Sequence, residues 1–181
     1  MGIGKNQRSS QDQIEELEMI VAEHETALLR YATRLVNDPH TAQDVVQKTF
    51  IKLFEKWRDK GYPEMKNIRA WLYRVTHNGA IDHIRHESRL NTLHERHTEE
   101  AACADGHHCP TPVLKDRKEE VLFHLKQLDE SEQQVVLLRM EQGLSYQEIA
   151  HVTGRSVGNV GCVLHHAVKK LATRVQPEVT S

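Results

Sequence analysis

Apolar residues recur at steps of three and four along most of the chain, a spacing that predicts helices and no strands. The first such pattern covers residues 14–37 and is broken at Asp38-Pro39. Thr41 and Asp44, three residues apart, resemble a capping box and predict the start of a second helix. The predicted inner face of this helix consists of Val45, Val46, Phe50, Leu53, Phe54 and Trp57.

The rest of the chain divides into a third helix, a linker and a second helical region. Residues 58–66 contain Gly61 and Pro63 and are predicted to form a loop, after which Asn67 is positioned to cap the third helix. Its apolar stripe is Ile68, Trp71, Leu72, Val75, Ile81 and Ile84. Periodicity then fails over 91–116. Helical spacing resumes near residue 121, Asp129 with Glu132 predicts another capped helix, and Gly143 is predicted to end it.

The predicted fold class is therefore all-α, with two small helical domains joined by a flexible linker. Residues 1–13 are predicted to be a disordered N-terminal tail and 14–90 the first domain. Residues 91–116 form the predicted linker, 117–172 the second domain and 173–181 a C-terminal tail.

Residues 144–171 have the pattern of a helix-turn-helix. Ser145 and Glu148 form a capping box, Gly154 can take the positive φ that ends a helix, and Ser156 can cap the next one. The second helix has an apolar face made of Val157, Val160, Leu164, Ala167 and Leu171. Two helices joined so closely form the motif that inserts its second helix into the DNA major groove. From this motif alone, an ordinary helical hairpin is the alternative.

Composition and charge exclude several classes of protein. The net charge of −2 argues against a general nucleic-acid coat, which would be basic overall. Charge is segregated, with six acids and no Lys or Arg over 9–29 and five basic residues over 66–89. No run approaches the roughly 18 apolar residues of a membrane span. Three cysteines and the lack of a signal peptide predict a cytoplasmic protein that is not inserted in a membrane.

Two blocks in the first domain and the helix-turn-helix resemble a known family. The segment DVVQKTF at 44–50 and the segment RAWLYRV at 69–75, followed by Asn78 and Asp82, are similar to the first conserved domain of bacterial extracytoplasmic-function sigma factors. Residues 144–171 resemble the second domain, so the resemblance spans about 21–171. It implies a dissociable specificity subunit that binds core RNA polymerase and promoter DNA. An anti-sigma factor is a further expected partner, whereas no cofactor and no catalytic residue are expected.

The resemblance also implies roles for residues of the first domain. The helix over 41–57 docks on the largest polymerase subunit in the family, which implies polymerase-binding roles for Asp44, Gln47, Lys48 and Phe50, with Lys48 replacing the usual acid. The loop 59–67 and the helix after it read and melt the −10 element. Asn78 matches the family asparagine near a flipped base, where an amide both donates and accepts. The further candidates for −10 contacts are Arg69, Tyr73, Arg74, Asp82 and Arg85.

The candidates for −10 contacts divide into residues that suit phosphates and residues that suit bases. Arginines suit phosphates. The alternative for each arginine is that it only forms part of a solvated helix face. Trp71 is predicted to be in the core. Tyr73 is predicted to be exposed, where its ring can stack on an unpaired base.

The predicted recognition helix has few charges. Gly161, Val163, His166 and Val168 occupy positions where the family commonly has basic residues. The candidates for contacts with the −35 element are Arg155, Ser156, Asn159, Cys162, His165, His166, Lys169 and Lys170. We expect the C-terminal domain to bind duplex DNA weakly by itself, because phosphate contacts supply most non-specific affinity.

Two other functions compete with a sigma factor. A stand-alone helix-turn-helix regulator would bind DNA without polymerase and would have no use for the block over 67–89. A metal-dependent enzyme would need ligands such as the Cys and His residues within 103–109. The two cysteines there are six positions apart, no second pair lies nearby, and no bound metal is predicted.

Overall fold

The computed structural model describes residues 10–60, 67–97, 123–125 and 127–175, and they confirm the all-α prediction. The helices are α1 (Ser10–Val36), α2 (Pro39–Lys60), α3 (Ile68–His97), α4 (Glu130–Val136), a π-helical turn (Leu137–Glu141), α5 (Tyr146–Thr153) and α6 (Val157–Val175). The chain separates into two compact units, Met1–Asp82 and His83–Ser181, so the division falls inside α3.

Four helices extend beyond the predicted boundaries, and one of them is α6, which continues to Val175, three residues into the predicted C-terminal tail. α1 begins at Ser10, inside the predicted N-terminal tail, and α2 continues to Lys60, three residues into the predicted loop. α3 continues to His97, seven residues into the segment predicted as a linker. The remainder of that linker and loop residues 61–66 lie outside the described residues.

α2 starts two residues earlier than predicted, because Asp38 rather than Thr41 caps it. The Asp38 Oδ2 accepts a hydrogen bond from the Thr41 backbone N–H at 2.7 Å, and the Asp38 carbonyl accepts one from Ala42 at 3.0 Å. The hydrogen bonds from Thr41 hold the pKa of the Asp38 carboxyl below its ordinary value. Pro39 then occupies the first helical position, where its missing N–H costs nothing.

A layer of polar side chains is buried where α1, α2 and α3 meet. The Tyr31 hydroxyl and His77 Nδ1 are hydrogen-bonded at 2.9 Å. The Thr49 hydroxyl donates to the Val45 carbonyl at 2.9 Å and lies 3.1 Å from the Thr76 hydroxyl, which must then be the donor between the two threonines. Burial raises the pKa of the Tyr31 phenol well above its ordinary value, which keeps the hydroxyl protonated.

The burial of Trp71 and Tyr73 is the reverse of what the sequence predicted. Tyr73 is only 2% exposed, with its ring 5.6 Å from that of Tyr31 in an edge-to-face arrangement. Trp71 is half-buried, with the Lys56 ammonium 4.9 Å above its ring. The prediction was wrong because the buried face of α3 includes two polar residues, which a count of apolar positions leaves out. The members of this face are Ala70, Leu72, Tyr73, Thr76, His77 and Ala80.

Gly79 allows α3 to approach α2 closely. A Cβ added at this position would lie 3.2 Å from Val45 Cγ1, which is tighter than ordinary van der Waals contact. Glycine in a helix interior costs about 1 kcal/mol relative to alanine. The structure gives a reason for glycine here.

In the second unit, the predicted caps and the helix-ending role of Gly143 are confirmed. Asp129 and Glu132 form a reciprocal capping box at α4, and Ser145 and Glu148 form another at α5. The π-helical turn follows α4, and Gly143 ends it with a φ of +64°. The core of this unit includes Val135, Leu138, Leu144, Ile149, Val152, Val160, Leu164 and Ala167.

We predict that Gly79→Ala does not stabilise the protein, because the new methyl group meets Val45. At a helix position without this contact, alanine in place of glycine is worth about 0.5–1 kcal/mol. Gly161→Ala is the matched control, since its Cβ would make only an ordinary contact, at 3.8 Å from Tyr146. Thermal unfolding by circular dichroism measures both variants.

A Val45→Ala background tests the cause. There Gly79→Ala should become stabilising by roughly the amount seen at Gly161, a coupling that a double-mutant cycle detects. Equal stabilisation by Gly79→Ala and Gly161→Ala in the wild-type background would contradict the prediction.

Candidate functional site

One face of α3 has polar and charged side chains at intervals of a helical turn. Arg74, Asn78 and Asp82 are exposed and four residues apart, and the same helix continues to exposed Arg85 and Arg89. Four of the six residues predicted to contact the −10 element therefore share one stripe. Guanidinium groups on such a stripe suit phosphates, and the amide can donate to and accept from a base edge.

Arg69 lies apart from this stripe. It is nine residues before Asn78, which places it half a turn out of phase. Its guanidinium lies 6.0 Å from the centre of the Tyr73 ring. The pKa of His24 on α1 is lowered mainly by burial, and the Arg69 charge lowers it further. Arg69 thus lies on the side of α3 opposite the stripe, and buried Tyr73 is not available for stacking on a base.

A groove of about 400 Å³ lies between α1 and α2. Two of its apolar residues are prominently exposed: Ile51 by 51% and Phe54 by 48% of their surfaces. The exposure of Phe54 contradicts the prediction that it belongs to the inner face of α2. The residues that line the groove are Val21, Glu25, Leu29, Gln43, Val46, Gln47, Phe50, Ile51 and Phe54.

The residues predicted to bind polymerase divide between the groove and its surroundings. Gln47 and Phe50 line the groove. Asp44 and Lys48 are exposed on α2 and do not line it. The sequence prediction missed both exposed apolar residues, because the helical spacing assigned Phe54 to the core and Ile51 was not singled out.

The turn between α5 and α6 has the predicted helix-turn-helix geometry. Gly154 adopts a φ of +70°, and its N–H donates to the Ala150 carbonyl. The Ser156 hydroxyl accepts from the Asn159 backbone N–H at 3.2 Å and so caps α6, as predicted. This short, doubly capped turn fixes the direction in which α6 leaves α5.

The candidates for −35 contacts lie on the side of α6 away from the core. Val160, Leu164 and Ala167 are buried, whereas Val157, predicted to be on the apolar face, is 46% exposed. The Arg155 guanidinium donates to the Asn159 amide oxygen at 3.1 Å, so these two candidates are linked. Arg155 is half-buried, and the exposed candidates are Ser156, Asn159, Cys162, His165, His166, Lys169 and Lys170.

Two arrangements near α6 had no local sequence signal. Tyr146 is 40% exposed, stacks with the Arg139 guanidinium at 5.4 Å and lies beside Gly161 on α6. Lys170 forms an ion pair with Glu132 on α4. Both arrangements join residues distant in sequence, which helical spacing does not reveal.

Within the described ranges, no group of three or more His, Cys, Asp or Glu side chains could hold a metal ion. The Cys/His segment at 103–109 lies outside those ranges. Among the helices that the structure describes, none has the length and apolar character needed to cross a membrane.

Comparison with known proteins identifies both units. Residues 20–90 match the family model for Sigma-70 region 2, and residues 118–171 match Sigma-70, region 4. The chain is 30% identical over 163 residues to the RNA polymerase sigma-E factor of Streptomyces avermitilis, covering 89% of this chain and 86% of that protein. It is 29% identical over 162 residues to the ECF RNA polymerase sigma factor SigL of Mycobacterium tuberculosis, covering 85% of each.

The fold is also found in a solved sigma factor. The structure of RpoE from Bartonella quintana, in complex with the anti-sigma factor NepR, matches with a TM-score of 0.69 at 18% identity and covers 91% of this chain and 99% of that one. The two family models together match more than half of the 181 residues, in the order and spacing that the sequence predicted. The chain therefore belongs to the sigma-70 family, as an RNA polymerase sigma factor of the extracytoplasmic-function group.

Proposed function

We propose that the protein binds core RNA polymerase through the α1–α2 groove, opens the −10 element with the stripe on α3 and reads the −35 element with α6. The observation that carries the proposal is the groove. Ile51 and Phe54 stay half-exposed there, beside the predicted polymerase-binding residues Gln47 and Phe50. A contiguous exposed apolar surface of this kind is typical of a protein-binding site.

The proposed −10 contacts are made by Arg74, Asn78, Asp82 and Arg85. Their common stripe supports this assignment, because a single strand following it would meet guanidinium groups for its phosphates and an amide for a base. We leave Tyr73 out of the proposed contacts because it is buried. Arg69 is also left out, because it lies half a helical turn away from the stripe.

For the −35 element, the proposed contacts come from Arg155 to Lys169 along the exposed side of α6. Short polar groups and histidines predominate there, which supports base reading with few phosphate contacts.

We propose that the protein acts by binding alone, in the cytoplasm, with no catalytic residue of its own. An anti-sigma factor is a further proposed partner, on the example of the Bartonella sigma factor. A stand-alone regulator is not favoured, because it has no use for sigma region 2 at 20–90. The overall test is to mix the protein with core polymerase and genomic DNA and to sequence the transcript starts. Transcripts identical to those of core polymerase alone would contradict the proposal.

We predict that replacing both Ile51 and Phe54 by serine weakens binding to core polymerase roughly thirtyfold. Each side chain is half-exposed, so docking would bury about half its surface, worth about 1 kcal/mol per residue. Fluorescence anisotropy with labelled protein measures the dissociation constant. Met19→Ser is the matched control: it is also exposed, by 65%, but is not among the groove-lining residues. Equal affinities of all three proteins would refute the groove as the docking site.

We predict that Asn78→Ala slows promoter opening while leaving polymerase binding unchanged. The exposed Asn78 amide is not among the proposed polymerase contacts. Its proposed role begins only when a base leaves the stack. Permanganate reactivity of thymines measures opening on duplex DNA and on a template already unpaired at the −10 element. The defect should be smaller on the unpaired template. An equal defect on both would instead indicate a structural role for Asn78.

A further inference from the structure

Lys170, near the C-terminal end of α6, is bound to the beginning of α4. Its ammonium lies 2.6 Å from Glu132 Oε1 and 2.8 Å from Oε2, and 3.5 Å from Asp129 Oδ2. The three residues, here called the Lys170 clamp, connect positions 38 and 41 residues apart in sequence. The two carboxylates thus surround an ammonium that has only three hydrogen-bond donors.

Glu132 has a second role at the same place. Its Oε2 accepts from the Asp129 backbone N–H at 3.3 Å, while Asp129 Oδ1 accepts from the Glu132 backbone N–H at 2.9 Å. The Glu132 side chain is only 7% exposed. A carboxylate so deeply buried is costly unless it is paired and hydrogen-bonded, so losing Lys170 would leave an expensive charge at the start of α4.

Folding favours the charged states of Lys170 and Asp129. The pKa of Lys170 is raised, mainly because Glu132 accepts its hydrogen bond. The pKa of Asp129 is lowered, mainly because the Glu132 backbone N–H donates to it. Both directions mean that these contacts stabilise the folded protein near neutral pH.

Lys169 differs from its neighbour. It is exposed on α6, and within the part of the chain that the structure describes its ammonium forms no ion pair. A phosphate approaching Lys170 would also approach two carboxylates, which repel it. Among the described residues, no carboxylate is paired with Lys169 that would repel an approaching phosphate.

We propose that Lys170 is a positioning residue for the recognition helix and that it does not contact promoter DNA. This rests on the proposed function of α6 at the −35 element. The apolar contacts of Val160, Leu164 and Ala167 hold α6 against the core but are not directional. The clamp lies one turn after Ala167 and adds a directional contact that fixes the rotation of α6. It thereby determines which side chains of α6 face the DNA.

The test compares Lys170→Met with Lys169→Met, Lys170→Arg and the double variant Lys170→Met/Glu132→Met. For the full-length chain, Lys170→Met should lower the melting temperature, whereas Lys169→Met should not. The double variant should recover part of the loss, because it removes the carboxylate that Lys170→Met leaves without its cation, while the Asp129 N–H loses its acceptor. Lys170→Arg should retain stability, because a guanidinium also pairs with two carboxylates.

The second readout is promoter binding by the reconstituted polymerase holoenzyme over a series of salt concentrations. Lys170→Met should bind several-fold more weakly with an unchanged slope of log K against log salt, and the double variant should bind normally. Lys169→Met should make the slope shallower by about 0.9, as expected for one lost phosphate contact.

A shallower slope for Lys170→Met at an unchanged melting temperature would overturn the inference. So would a double variant that regains stability without regaining promoter binding, since Lys170 would then act on the DNA itself. If the wild-type holoenzyme selects no promoter, the proposed function fails. The melting temperatures of the four variants then decide by themselves whether the clamp exists.

Discussion

Buried hydrogen bonds between α1, α2 and α3 determine which face of α3 reaches solvent. His77 must meet Tyr31 on α1 while Thr76 meets Thr49 on α2. Because buried polar groups are costly without partners, few rotations of α3 satisfy both bonds together. The observed rotation directs Asn78 outward. The polar layer therefore both holds the first unit together and exposes the stripe proposed to open promoter DNA.

In the second unit the placement of α6 is constrained in a related way, by an ion pair rather than by buried hydrogen bonds. A recognition helix rich in arginine gains affinity from phosphates, which tolerate small errors of placement. α6 has few cations, and one of them, Lys170, is engaged by Glu132 and Asp129. The proposed selectivity of α6 then depends more on the accurate placement of short side chains. The capped turn at Gly154 and Ser156 fixes the start of α6, and the Lys170 clamp fixes its end.

The sequence by itself determined the helical class, the family and the capped helix ends of the second unit. The capping boxes at Asp129 and Ser145 and the turn at Gly154 were all predictable. Each depends on residues within four positions of one another, so the physical interaction is contained in the local pattern. The same holds for the stripe on α3, whose members follow from helical spacing alone once the helix is known.

Only the tertiary structure decided which apolar residues are buried and which polar residues are structural. It buried Tyr73, because the inner face of α3 includes His77 and Thr76, which apolar spacing does not reveal. It left Phe54 exposed beside the groove between α1 and α2. It also showed that Lys170, on a helix face suited to DNA, is paired with a distant glutamate. Such pairings join residues dozens of positions apart, and only the packing of the helices brings their atoms within bonding distance.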